Sequence, residues 1–310
     1  MTRVFTEIVV TVSAEPHVEL FVAQSPGPSE GALLVIHGGP DWDHTYLREP
    51  LAQLGDRHRL IMPDIRGCGR STAGLPGGQY TPDAVVADLI ALLDALGLGV
   101  ADVLGFSYGG LLAQRLARAV PGRIRRLIIA SSSIYPVPAD AYEGWAERDT
   151  RMAAVGKVWS DPALSAAQLV RAAAVAQAPA DVWRADKLDG YLHRLAKVRF
   201  GSEWLGPWRT GTLPSALPAD SERGLADLGI PVLLLHGAQD MTFPARLAAR
   251  AAAKLPNARA VILEYAGHMA HVDQPSRWVD ALAAFLDSPP GLQPTAHNQR
   301  GFLIRSLQWG

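Results

Sequence analysis

Three side chains in this 310-residue chain have the types and neighbours that acyl transfer requires. Ser107 stands in Gly105-Phe106-Ser107-Tyr108-Gly109-Gly110, a Gly-x-Ser-x-Gly segment that follows an apolar run and precedes a helical pattern. A turn that lifts a serine hydroxyl off the end of a strand strains its backbone, and the flanking glycines remove side chains that would collide there. A serine in a glycine-rich turn is otherwise common; the strand before it and the helix after it give this one its chemical meaning. In that setting the Tyr108 N–H opens the helix and points toward a carbonyl oxygen under attack.

A serine hydroxyl is a poor nucleophile until a base takes its proton, and neutral imidazole suits that task near pH 7. His268 lies in Tyr265-Ala266-Gly267-His268-Met269, in a loop between an expected strand and an expected helix. His271 is its rival, but sits nearer the helix start, where packing or capping is the plainer role. His37 and His236 end strands and are expected to bind loop backbone. His17, His44, His58, His193 and His297 have no catalytic setting. The imidazole in turn needs a carboxylate to fix its tautomer. Asp240 follows the apolar run Val232-Leu233-Leu234-Leu235 by a few residues, giving the chain order Ser107, Asp240, His268. Capping a helix that begins near Pro244 is the alternative use of Asp240. After Leu127-Ile128-Ile129-Ala130 the chain offers Ser131, Ser132 and Ser133 but no acid, which favours Asp240. His37-Gly38-Gly39-Pro40 follows the strand expected beside the nucleophile, so the Gly39 N–H is the candidate second oxyanion donor; a plain turn is the alternative.

The elements that must hold these groups are legible as two periodicities. Residues 4–12 and 18–24 alternate apolar and polar around Glu15-Pro16, as an antiparallel hairpin does. Short, nearly all-apolar runs at 32–36, 60–62, 101–106, 127–130 and 232–235, with a further one at 260–263, fit strands buried in a parallel sheet. Helical spacing recurs at 82–96, 111–119 and 278–286. This alternation predicts an α/β fold, a mostly parallel sheet with helices on both faces, built from residues 1–133 and 226–287. Residues 134–225 are alanine-rich, lack a strand run and hold five of the eight tryptophans. They are expected to form a helical cap over the carboxyl ends of the strands, where open α/β sheets bind ligands. Trp42, Trp145 and Trp204 are the candidate substrate contacts, and 288–310 is an extension without an assigned role.

Composition narrows the partners. A net charge of -1 gives no basic face for nucleic acid or an anionic membrane, so a small molecule or short peptide is the expected substrate. Cys68 is the single cysteine and cannot form an internal disulfide. With no apolar leader and no run long enough to span a membrane, a cytoplasmic location is expected. Nothing in the histidine spacing asks for a metal or organic cofactor.

Taken together, Gly105 to Gly110, His37 to Pro40 and Asp64-Ile65-Arg66-Gly67-Cys68-Gly69-Arg70-Ser71 resemble the α/β-hydrolase superfamily and its proline iminopeptidase-like branch. The resemblance runs from about residue 30 to 286 and is least in the cap. It implies a serine hydrolase acting on an ester or amide through an acyl-serine, with aminopeptidase action on N-terminal proline as one branch. A lyase, carbon-carbon hydrolase or cyclase on the same triad is another implied possibility. Two departures stand out. The loop continues with Asp41-Trp42 where the family usually has another glycine, and no tryptophan is followed by the glutamate that holds a substrate amine in that branch. Glu143, Glu147 and Glu203 are the possible substitutes. Eleven acidic and eleven basic residues balance between 134 and 225, so the charge count indicates no preformed cation site.

Overall fold

The computed structural model describes residues 5–288; all but the first residue of the expected extension 288–310 lies outside the described residues. Eight strands form one sheet: β1 (Thr6–Ala14), β2 (His17–Gln24), β3 (Leu33–Ile36), β4 (Leu60–Pro63), β5 (Ala101–Phe106), β6 (Ile124–Ala130), β7 (Val232–Gly237) and β8 (Ala258–Leu263). Their spatial order is β1-β2-β4-β3-β5-β6-β7-β8. The pairs β1–β2 and β2–β4 are antiparallel, and every pair from β4 through β8 is parallel. Strands β3, β5 and β7 are buried at every residue, which is why they read as unbroken apolar runs. β8 ends the order and has a neighbour on one side only, so five of its six residues are half-buried.

Short α1 (Arg48–Leu51) lies between β3 and β4. α2 (Pro82–Ala95) starts where the sequence announces it: Thr81 Oγ1 accepts the Ala84 N–H at 3.2 Å, and Pro82 takes the first turn, where a missing N–H is harmless. α3 (Tyr108–Ala119) begins three residues before the expected Leu111, because Ser107 itself occupies the cap position. Between β6 and β7 the described residues hold helices and no strand: α4 (Ala146–Trp159), α5 (Ala166–Asp181), α6 (Leu188–Leu195), α7 (Leu205–Arg209) and α8 (Ser221–Leu228). The expected cap boundary at 225/226 falls inside α8, whose Leu225 packs in the same core cluster as Leu112 and Leu116 of α3. After β7 come α9 (Ala245–Lys254), α10 (Ala270–Asp273) and α11 (Pro275–Leu286), the last of which buries Trp278 completely.

Candidate active site

Strand order reverses between β3 and β5: the chain after β3 goes to β4 on one side and to β5 on the other. Loops leaving neighbouring strands diverge at such a point and open a crevice at their carboxyl ends. Ser107 leaves β5 into that crevice with φ 53 and ψ -120, a left-handed conformation unusual for a residue with a side chain. Its neighbours explain the motif. A Cβ on Gly105 would stand 2.2 Å from the Gly109 carbonyl oxygen, and one on Gly109 would stand 2.1 Å from that of Ile36. Neither contact can be relieved, because both sides are backbone.

His268 leaves β8 through the 264–269 loop and reaches Ser107, with Nε2 3.0 Å from Oγ. Its Nδ1 lies 3.0 and 3.2 Å from the two oxygens of Asp240. A carboxylate accepts only, so Nδ1 carries the proton and the Nε2 lone pair faces the hydroxyl. Asp240 serves the turn as well as the imidazole, for Oδ1 accepts the N–H groups of Thr242 (2.7 Å) and Phe243 (2.9 Å). Asp240 thus bonds the imidazole and the following turn at once. Burial opposes ionisation of Asp240, but His268 and His236 outweigh it and hold the carboxyl far below the ordinary range. For His268, burial acts downward, while the charge and hydrogen bond of Asp240, helped by Asp181, raise its pKa above the ordinary value.

The loop after β3 completes the crevice. The Gly38 N–H is committed to Tyr46 OH at 2.8 Å. Gly39, at φ 116, and Tyr108 present amides that have no acceptor among the described residues. His271 is fully buried among Phe106, Tyr46 and Trp278, and burial lowers its pKa to about 3. It packs as a neutral ring.

A cavity of about 430 Å³ opens over Ser107 and His268. Trp42 and Trp204 line it, Trp204 with its indole N–H fixed on the Arg66 carbonyl at 2.9 Å. Trp145 does not line it, contrary to the sequence expectation. It precedes the first residue of α4, beside Tyr142, whereas Trp159 closes that 14-residue helix, about 20 Å further along the axis, and is the one that reaches the cavity. Trp208 also lines the wall and packs on Trp159 at 5.3 Å.

Several acids, of which the sequence singled out only Asp41 and assigned it no partner, tie these parts together. Asp273 accepts three backbone N–H groups: Gly267 (2.8 Å) in the His268 loop, and Trp183 and Arg184 (both 2.9 Å) after α5. Asp41 accepts Trp204 N–H on its carboxylate (3.1 Å) and Gly201 N–H on its carbonyl (2.8 Å), and Asp43 accepts Arg199 N–H (3.0 Å). Burial raises the Asp41 carboxyl to about 6. His236 Nε2 bonds the Phe243 carbonyl (2.7 Å) and lies 3.0 Å from Asp240 Oδ2. Its place at the end of β7, four residues before Asp240, was the available signal. Asp41, Asp43 and Asp273 bind amides far away in sequence, which local pattern does not reveal.

Among the described residues no three His, Cys, Asp or Glu side chains are grouped to hold a metal ion, and no helix is long and apolar enough to cross a membrane.

The chain matches known proteins over most of its length. It is 29% identical over 267 residues to a putative carbamate hydrolase of Pseudomonas savastanoi, covering 84% of this chain and 95% of the relative. It is 27% identical over 291 residues to a cis-3-alkyl-4-alkyloxetan-2-one decarboxylase of Xanthomonas campestris, covering 85% and 91%. Among solved structures it is similar to an esterase from Thermogutta terrifontis, with TM-score 0.68, 24% identity and coverage of 91% and 98%. A proline iminopeptidase-related protein from Thermus thermophilus aligns with TM-score 0.66, 24% identity and coverage of 91% and 99%. The family described as the alpha/beta hydrolase fold matches residues 31–275, and with the strand order, the turn at Ser107 and the loop after β3 already in view, the chain belongs to that family.

Proposed function

We propose that this protein is a serine hydrolase that cleaves an ester or amide of a small substrate through an acyl-serine. The observation that carries the reading is the continuous line Ser107 Oγ, His268 Nε2, His268 Nδ1, Asp240, with contacts of 3.0 Å on both sides of the ring. Ser107 gives its proton to Nε2 as Oγ adds to the acyl carbon. The oxyanion is met by the N–H groups of Gly39 and Tyr108, donors fixed in place before charge develops. His268 then protonates the leaving atom, and water, deprotonated by the same nitrogen, releases the acyl group from Ser107. Asp240 stays ionised throughout and stabilises the imidazolium. Residues 134–225 act as a cap that shapes the cavity, whose volume suits a small molecule.

Within this class, ester cleavage is better supported than aminopeptidase action. The glutamates that could hold a substrate amine are occupied or exposed: Glu147 pairs with Arg151 at 2.7 Å, Glu203 takes the Tyr80 hydroxyl at 2.8 Å, and Glu143 is exposed. The acidic side chains of the wall, Asp41 and Asp181, would repel a carboxylate-bearing substrate, which weighs against carbon-carbon hydrolysis of such acids. A short aryl ester is expected to be cleaved with kcat/KM well above that for proline arylamide; the reverse order overturns the ester reading.

A further inference from the structure

The insertion's balanced charge count conceals an uneven placement. Among its arginines, Arg148 bonds the Met241 carbonyl at 3.0 Å, Arg151 bonds Pro179 and Glu147, and Arg184 bonds Asp186, and no arginine among the described residues lines the cavity. Asp181, the last residue of α5, lines the cavity instead and is 1% exposed. Its carboxylate accepts from Gln177 Nε2 (2.9 Å) and Tyr191 OH (3.2 Å) and meets no lysine or arginine among the described residues. A carboxylate has about four acceptor sites, so capacity remains after two bonds. Burying such a group without a counter-charge is costly, and a bound cation removes that cost. Burial raises the Asp181 pKa, and the opposing cationic influence is His268.

Position assigns what Asp181 faces. Its carbonyl accepts the Met269 N–H at 2.8 Å, and a Cβ on Gly267 would stand 2.7 Å from the same oxygen, so Asp181 is packed directly on the loop that carries His268. The imidazolium must hand its proton to the leaving atom, so the leaving group lies against His268, away from the oxyanion loop. The same cavity is walled by the indoles of Trp42, Trp159, Trp204 and Trp208, whose faces attract cations.

Building on the serine-hydrolase reading, we propose that the preferred substrate is an ester whose leaving alcohol carries a positively charged nitrogen, with Asp181 as its counter-charge and the tryptophan walls around it. The acyl C–O bond breaks, the proton on His268 passes to the leaving oxygen, and an amino alcohol departs. Water then supplies the hydroxyl that displaces Ser107 and the proton that returns to it, leaving a carboxylic acid.

The test compares two butyrate esters at pH 8 that differ in one atom of the leaving group: 2-(trimethylammonio)ethyl butyrate and its uncharged isostere 3,3-dimethylbutyl butyrate. The charged ester is expected to have a kcat/KM higher by about 10- to 100-fold, the range for a contact with a charged group. In Asp181→Asn the ratio is expected to fall to near unity; because it is a ratio, general damage to the variant does not mimic that result. A wild-type ratio near unity, or a ratio that survives the substitution, overturns the proposal. So does an equal gain when the cation is moved to the acyl side, as in the 4-nitrophenyl ester of trimethylglycine. Binding is read separately, without chemistry, by quenching of tryptophan fluorescence with tetramethylammonium. Saturable quenching that weakens about tenfold or more in Asp181→Asn supports the site, and absence of quenching overturns it. Should tetramethylammonium bind while no ester is turned over, the hydrolase reading fails and the cation site stands; turnover of both esters at equal rates has the opposite meaning.

Discussion

β5 is buried at all six of its residues, whereas α4, in the segment between β6 and β7, buries one residue of fourteen, Val155. The first is held in a sheet by neighbours on every side. The second lies along α5 and is tied down by Arg148 on the Met241 carbonyl and Arg151 on the carbonyls of Pro179 and Val182. Yet both contribute to one cavity, Ser107 from the end of β5 and Trp159 from the end of α4. On the proposed reading, the bond-breaking groups hang from strands, where positions can be held within about 0.5 Å, and the groups that would choose the substrate stand on the more exposed insertion. Asp273, Asp41 and Asp43 join the two regions by holding backbone amides of the insertion against the loops that carry His268 and Gly39.

That division can be broken by substitutions on each side of it. The largest effect is expected for Ser107→Ala or His268→Ala, each lowering kcat by roughly 10,000- to 1,000,000-fold in steady-state ester hydrolysis. Asp240→Asn keeps the shape but inverts the hydrogen-bond logic at Nδ1 and is expected to lower kcat by about 10,000-fold. Asp273→Asn brings an NH₂ group among three N–H donors and is expected to destabilise the fold by about 1–3 kcal/mol in urea titrations while lowering kcat. Trp159→Ala and Trp208→Ala, confined to the insertion, are expected to raise KM several-fold with kcat within about twofold. A large kcat loss from either tryptophan variant would erase the distinction between the two regions.

Acidity supplies a check of a different kind. His268 must be neutral to accept the Ser107 proton, and its pKa is raised by the charge of Asp240 against the effect of burial. As pH falls, kcat/KM is therefore expected to decline at a higher pH than an unperturbed histidine would give, and to stay level above that point. A pH profile that falls only below the ordinary histidine range would contradict the electrostatics described for the pair.

Much of this arrangement was legible before any coordinates. Ser107 stands out as a candidate because strand, glycines and helix all occur within a few residues of it, and His268 and Asp240 because each follows within a few residues of an apolar run that reads as a strand. The insertion was harder. Its tryptophans announce apolar walls, but which ones face inward depends on where each helix ends, so the sequence points to Trp145 while Trp159 lines the cavity. Asp181 was invisible to a charge count because opposite charges in one segment can face different ways. Asp41, Asp43 and Asp273 act on amides distant in sequence, and no local pattern records that.

The central claim is that Ser107 is a nucleophile activated by His268. Treating the protein with a fluorophosphonate and mapping the adduct by peptide mass tests it most directly. A single adduct on Ser107, formed at a rate that collapses in His268→Ala, is the expected result; an adduct on another residue, or one that still forms in Ser107→Ala, would contradict the claim.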